Sequence, residues 1–277
     1  MTRMRRTRYR RRRRIRRALI LVGTMAAVIT LAVIISRRSG MMQVDGLRAA
    51  TPTPVTAAFD RTVVTREVCL PEEVWYTIQT GVFSQQEAAA EKAAAYADRG
   101  APGTVVEDGG KWRVFIASYG REEDAATVRQ RLGEMQRVET YQYAWTCPEL
   151  RLRLTGMAGQ LDVAEAGLTL FAGAGALLRD ASALLDAGQI TVDEALKTVS
   201  DLSAQISLWA ETAQDRFGRQ TPEMVQQLLQ RAEGWTARAK ALQEAAASVH
   251  ALSASLKGHG MQMYDEEIRA RRQLSGE

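Results

Sequence analysis

Few residues in this 277-residue chain have the types and spacings that chemistry needs, and those that do are suited to binding. The two histidines, His250 and His259, are nine positions apart, and no cysteine or acidic cluster joins them at metal-ligand spacing. There is no Gly-x-Ser-x-Gly elbow and no phosphate-binding glycine loop. The sequence therefore predicts no enzyme, no metal and no cofactor. What remains is a glutamine, Gln79, and an aromatic–basic pair, Trp112 and Arg113, each inside a run of alternating apolar residues. An amide both donates and accepts hydrogen bonds, a guanidinium donates five, and an indole presents a broad apolar ring. Two cysteines, Cys69 and Cys147, bracket the three.

The elements that must position these residues come as a repeat. "WYTIQTGVFS" alternates as a strand does and gives way to the alanine-rich "QQEAAAEKAAAYADRG", which reads as a helix. Thirty-six positions after Tyr76 the arrangement returns as "WRVFIASYGREEDAATVRQRL". Tyr76 aligns with Trp112, Ile78 with Val114, Gly81 with Ala117, Phe83 with Tyr119 and Glu87 with Glu123. Ser84 and Glu87 have capping-box spacing, and Asp108-Gly109-Gly110 has hairpin chemistry. With "TVVED" and "VETYQYAW" as further strands, the order is βαββαβ. This predicts a ferredoxin-like sheet with both helices on one face. Alternation sends Ile78 and Val114 toward the helices and Gln79 and Arg113 to the helix-free face. Trp112 joins the helix side by strict alternation, or the helix-free side if a bulge near Gly110 shifts the register. The first and last strands of such a sheet are antiparallel neighbours, so Cys69 and Cys147 are expected to form a disulfide.

The rest of the chain sets the context. Residues 1–17 hold 11 arginines and no acid; the remaining 26 basic residues face 32 acidic ones, a net of −6. The basic pI therefore belongs to one tail, and the remainder is not a nucleic-acid surface. Residues 18–36 carry no charge and are long enough for a helix to span a membrane. The arginines before them put the N-terminus in the cytoplasm and the C-terminus outside the cell membrane. Residues 37–68, with Thr-Pro-Thr-Pro, read as a linker. After residue 147, "ELRLRLTG" alternates as one more strand, and three helical stretches follow with short turns. The turns predict an antiparallel three-helix bundle over residues 148–258. Gly258-His259-Gly260 is expected to break the last helix and leave a polar tail, residues 259–277. The fold expected is thus α+β plus all-α: a transmembrane helix, a ferredoxin-like domain over residues 69–147, and the bundle.

The two half-repeats, aromatic-x-Ile-Gln-x-Gly-x-Phe and aromatic-Arg-Val-x-Ile-x-x-Tyr, each followed by an Ala-rich helix, resemble the SPOR domain over residues 75–145. The resemblance implies binding of peptidoglycan glycan strands, preferably stripped of stem peptides, through the helix-free sheet face. It also places Gln79, Trp112 and Arg113 at glycan-contact positions. The family often has serine three residues after the glutamine, where this chain has Val82. The function expected is that of a membrane-anchored glycan-binding protein of the bacterial envelope, linked to division or sporulation. The bundle is free to engage an envelope protein partner. The alternative expectation is a structural or protein-interaction module with a degenerate repeat.

Overall fold

The computed structural model describes residues 62–276. The arginine tail, the apolar span 18–36 and most of the linker lie outside the described residues. The first alternating run is a strand, and it is followed after Phe83 by the alanine-rich helix. These are β2 (Glu73–Phe83) and α1 (Gln86–Ala97). The Ser84–Glu87 capping box is not made. The helix starts after Gln85, which caps with its extended backbone alone. β3 (Thr104–Asp108) and β4 (Lys111–Tyr119) form a hairpin whose Gly109 and Gly110 have φ of 60° and 72°. Two left-handed residues in sequence are what a type I′ turn requires. α2 (Glu122–Gln136) and β5 (Tyr141–Cys147) complete the second half. The strand order β3-β4-β2-β5, antiparallel throughout, is the ferredoxin-like one.

A second, two-stranded sheet stands beside the first. β1 (Val63–Leu70) pairs with β6 (Leu150–Met157) in an antiparallel ladder. β6 is the strand that "ELRLRLTG" suggests. β1, by contrast, begins inside the stretch read as linker. Its Val68 and Leu70 are buried in the core of the helical part, and Arg66 on the same face reaches Asp162 (2.7 Å) and Glu165 (2.9 Å).

Four helices follow, not three: α3 (Ala158–Asp186), α4 (Val192–Phe217), α5 (Glu223–Glu244) and α6 (Val249–Ser275). α4 opens with the Thr191–Glu194 capping box that its sequence announces. The third helix ends at Ala245–Ala247, a 3₁₀ turn, and Ser248 then caps α6 by accepting from the Ala251 N–H. Gly258-His259-Gly260 does not break the chain but lies within α6, and the expected polar tail is the rest of that helix. The glycines serve packing. A Cβ on Gly260 would sit 3.1 Å from the Gly175 carbonyl of α3, and one on Gly175 would sit 3.0 Å from the Gly260 carbonyl. Two helix backbones can approach this closely only where both lack side chains. Glycine in a helix costs about 1 kcal/mol against alanine, which contacts of this kind offset.

α3 is also long and apolar enough to cross a membrane, with mean hydropathy 1.4, but half of its most apolar stretch is buried. It is apolar on several sides because α4, α6 and the β1–β6 ladder all pack on it. The described residues fall in one compact unit. Its layers run from α1 and α2, through the four-stranded sheet, to α6 and then the rest of the helices.

Candidate functional site

The two faces of the four-stranded sheet are built from different residues. Ile78, Val114 and Ile116 face α1 and α2, where the alanines of α1 let the helix lie close. The ladder is irregular on either side of Gln79, so that Ile78 pairs with Ala117 but Gln79 with Phe115. Ile116 and Ala117 therefore both join Ile78 and Tyr96, a departure from strict alternation. This irregularity lies in the middle of β2, not near Gly110. Trp112 consequently keeps its phase with Val114 and packs half-buried against Ala89 and Ala93 on the helix side. Gln79 and Arg113 lie on the opposite face, as alternation expects.

That opposite face has no helix of the βαββαβ unit, yet α6 covers one end of it. Trp75, Val106, Phe115, Trp145 and Cys147 of the sheet are buried with Met261, Tyr264 and Ile268 of α6. Tyr264 stacks on Trp75 with ring centroids 4.1 Å apart and planes 11° apart, and it meets Trp145 edge-on at 5.0 Å. The Tyr264 hydroxyl is 2.7 Å from the Glu73 carbonyl and 2.9 Å from that of Trp145, and it accepts the Cys147 N–H at 3.1 Å. Arg179 of α3 lies over the same Trp75 ring at 4.5 Å. Burying one ring of this size removes about 200 Å² from water, worth roughly 5 kcal/mol before entropy is counted.

The other end of the face is wet and polar. Arg113 donates from Nε to Asp108 Oδ2 (2.8 Å) and from Nη1 to Gln79 Oε1 (3.0 Å). Tyr143 donates to the same Asp108 oxygen (2.6 Å), and the Arg113 guanidinium lies 4.3 Å from the Tyr143 ring centroid. Burial works against the charge on Asp108, but the hydrogen bonds from Tyr143 and Arg113, with the charges of Arg113 and Arg272, outweigh it. Its carboxyl sits below the usual range. Burial and the bond to Asp108 raise the Tyr143 phenol. Gln79 is only 7% exposed, so its amide is held beneath the guanidinium. Its Nε2 makes no hydrogen bond among the described residues. Val82, paired with Arg113 across the ladder, is exposed, as is Tyr141 at the start of β5. These groups can hold a neutral, hydroxyl-rich molecule. They offer donors, an acceptor and aromatic rings but no nucleophile beside a base.

Residues 75–141 match the family model of the SPOR domain. The chain carries a SPOR domain. SPOR domains bind peptidoglycan, and they are binding modules without catalytic machinery. No curated protein and no solved structure matches the chain. The match ends before the bundle, so the helix that covers part of this SPOR sheet comes from outside the domain.

The cysteine expectation is corrected: both thiols are free, Cys69 exposed and Cys147 buried. The reason is β1. Cys69 belongs to the β1–β6 ladder opposite Arg151, and its thiol donates to Glu149 (3.4 Å). Cys147 belongs to the SPOR sheet opposite Glu73, facing α6. Burial pushes its thiol up to about 12. His250 is exposed at the start of α6, and the Nδ1 of His259 pairs with Gln262 (3.2 Å). Asp108 and Tyr143 were missed by the sequence reading. The alternation of Tyr141, Tyr143 and Trp145 along β5 was the signal for an aromatic row on the helix-free face.

Proposed function

We propose that this protein is a membrane-anchored peptidoglycan-binding protein of the bacterial envelope, and that glycan strands lie on the wet end of the SPOR sheet around Gln79 and Arg113. The observation that carries this reading is the prearranged set Gln79–Arg113–Asp108–Tyr143 on the face left open by α1 and α2. Its donors suit sugar hydroxyls and acetamides, and exposed Tyr141 can stack on a sugar ring. Trp112, turned to the helix side, would act on the fold and not on the ligand. The anchor would be residues 18–36, with the N-terminus cytoplasmic and the SPOR domain outside, in a role tied to division or sporulation. A reporter active only in the cytoplasm, fused after the last residue, should then be silent.

The deciding experiment is co-sedimentation of the purified full chain with cell-wall sacculi, before and after an amidase has removed the stem peptides. Binding that increases on removal supports the reading. The rival is an interaction module whose sheet serves only to seat the helices. It is favoured by the cover that α6 provides and by Val82 at the family's serine position. Failure to bind either preparation would put the rival in its place.

A further inference from the structure

Charged side chains are rarely buried unless their charges balance, and at one place in the helical part they do not. Arg231 of α5 and Arg271 of α6 share a single carboxylate, that of Glu267. Arg231 donates from Nη1 to one of its oxygens and Arg271 from Nε to the other, both at 2.9 Å. The side chains of Arg231, Arg271 and Glu267 are 12%, 3% and 6% exposed, so the triad is a buried net charge of +1. Arg271 is further met by the carbonyls of Pro71 (2.7 Å) and Pro148 (2.9 Å), the joints between the two sheets, which bring dipoles but no charge. Arg231 is less well served. Its guanidinium lies over the Phe171 ring, 4.8 Å from the centroid. Its Nε and Nη2 are buried and have no hydrogen-bond partner among the described residues. These two nitrogens form one edge of the planar guanidinium, from which two N–H groups point in parallel.

The triad borders a cavity of about 20 Å³, walled by Leu150 of β6, Leu168 of α3 and Leu228 of α5. That is room for about one water-sized particle. A water there would need two to four polar partners and would bring no charge. Phosphate, sulfate and carboxylates that carry a chain are too large. Charge and size together select a monatomic anion. We infer that Arg231 and this cavity form a halide site, in which chloride accepts the parallel N–H groups of Nε and Nη2. The bound anion neutralises the triad. Because Arg271 of the same triad holds a carbonyl at each joint between the sheets, chloride also fastens α6 to the SPOR sheet.

Two measurements on the full chain test this. The first is the melting temperature in chloride, bromide and gluconate salts of one cation at equal ionic strength. Chloride and bromide should each raise it by about 3 °C over gluconate, as occupancy of a site present only in the folded form requires. Arg231→Met keeps a flexible apolar side chain beside Phe171 and leaves Glu267 paired with Arg271, a neutral pair. It should melt at one temperature in all three salts. A wild type indifferent to the anion, or a halide shift that survives in Arg231→Met, overturns the site. The second measurement needs no variant and so stands even if Arg231→Met does not fold. Crystals of the wild type grown in bromide should show an anomalous scattering peak against Arg231 Nε and Nη2. Density without anomalous signal there identifies a water and overturns the inference. A peak in the crystal with no halide shift in solution means an adventitious ion only, and overturns it equally.

Discussion

The helix-free face of the SPOR sheet is two surfaces on one set of strands. At one end Trp75, Phe115 and Trp145 are 1%, 0% and 4% exposed, shut under Tyr264. At the other, further along the same strands, Arg113 is tied to Gln79 and Asp108 with Val82 and Tyr141 open to solvent. Both ends carry aromatic rings. What differs is what meets them: a helix whose own polar atoms are satisfied by strand-end carbonyls, or water and a side-chain network that keeps spare donors. An aromatic row on a sheet is thus not a ligand platform by composition. It becomes core wherever the chain supplies a complementary surface.

The largest effect should come from breaking the dry end. Tyr264→Ala removes a ring that stacks on Trp75 and a hydroxyl that serves two carbonyls and one N–H. It should cost about 3–5 kcal/mol in urea unfolding, with Glu267→Ala close behind because it strands Arg231 and Arg271. If Tyr264→Ala unfolds like wild type, the two ends are not different in kind. Trp112→Ala comes next. It should cost about 2 kcal/mol, less than a fully buried indole, and leave sacculus binding intact below its melting temperature. Reduced binding at full stability would move Trp112 to the ligand side.

Gln79→Ala tests the wet end. It should cost about 1 kcal/mol, the net worth of the hydrogen bond from Arg113, and lower sacculus binding by more than its stability loss explains. Unchanged binding would place the ligand elsewhere.

A further effect appears only as pH changes and concerns Asp265 of α6. Burial outweighs its pairing with Arg269 and raises its carboxyl from 3.8 to about 6. The folded form then holds a proton that the unfolded chain releases, so this group lowers stability as pH rises from about 4 to about 6. Asp265→Asn should match the wild type in melting temperature near pH 4 and exceed it by a few degrees at pH 7, up to about 3 kcal/mol. A constant difference across that range would show that Asp265 does not titrate there.

Local chemistry carried a good part of the design. The half-repeat, the two alanine-rich helices, the Gly109-Gly110 turn and the Thr191–Glu194 cap are legible because each depends on neighbours a few residues away. So is the side of the sheet on which Gln79 and Arg113 lie, since period-two alternation survives the irregularity between them. The misreadings share one cause. β1 reads as linker, although "VVTREVCL" is strand-like, because its partner lies some 90 residues ahead at β6. Gly258 and Gly260 read as a helix break because glycine is a poor helix former, yet Gly258 lies against Pro102 and Gly260 against the Gly175 carbonyl of α3, neighbours that no local pattern reveals.

By itself, then, the sequence determined the SPOR domain, its strand order and the faces of its strands, since alternation and repeat spacing are properties of the chain. Only the tertiary structure decided that the two cysteines belong to different sheets, that Gln79 lies under Arg113, and that a helix from outside the domain closes half of its open face. Those outcomes depend on which of several apolar surfaces find each other. The free energy of such a choice comes from pairs of residues far apart in the chain, such as Trp75 with Tyr264 and Arg271 with Pro71.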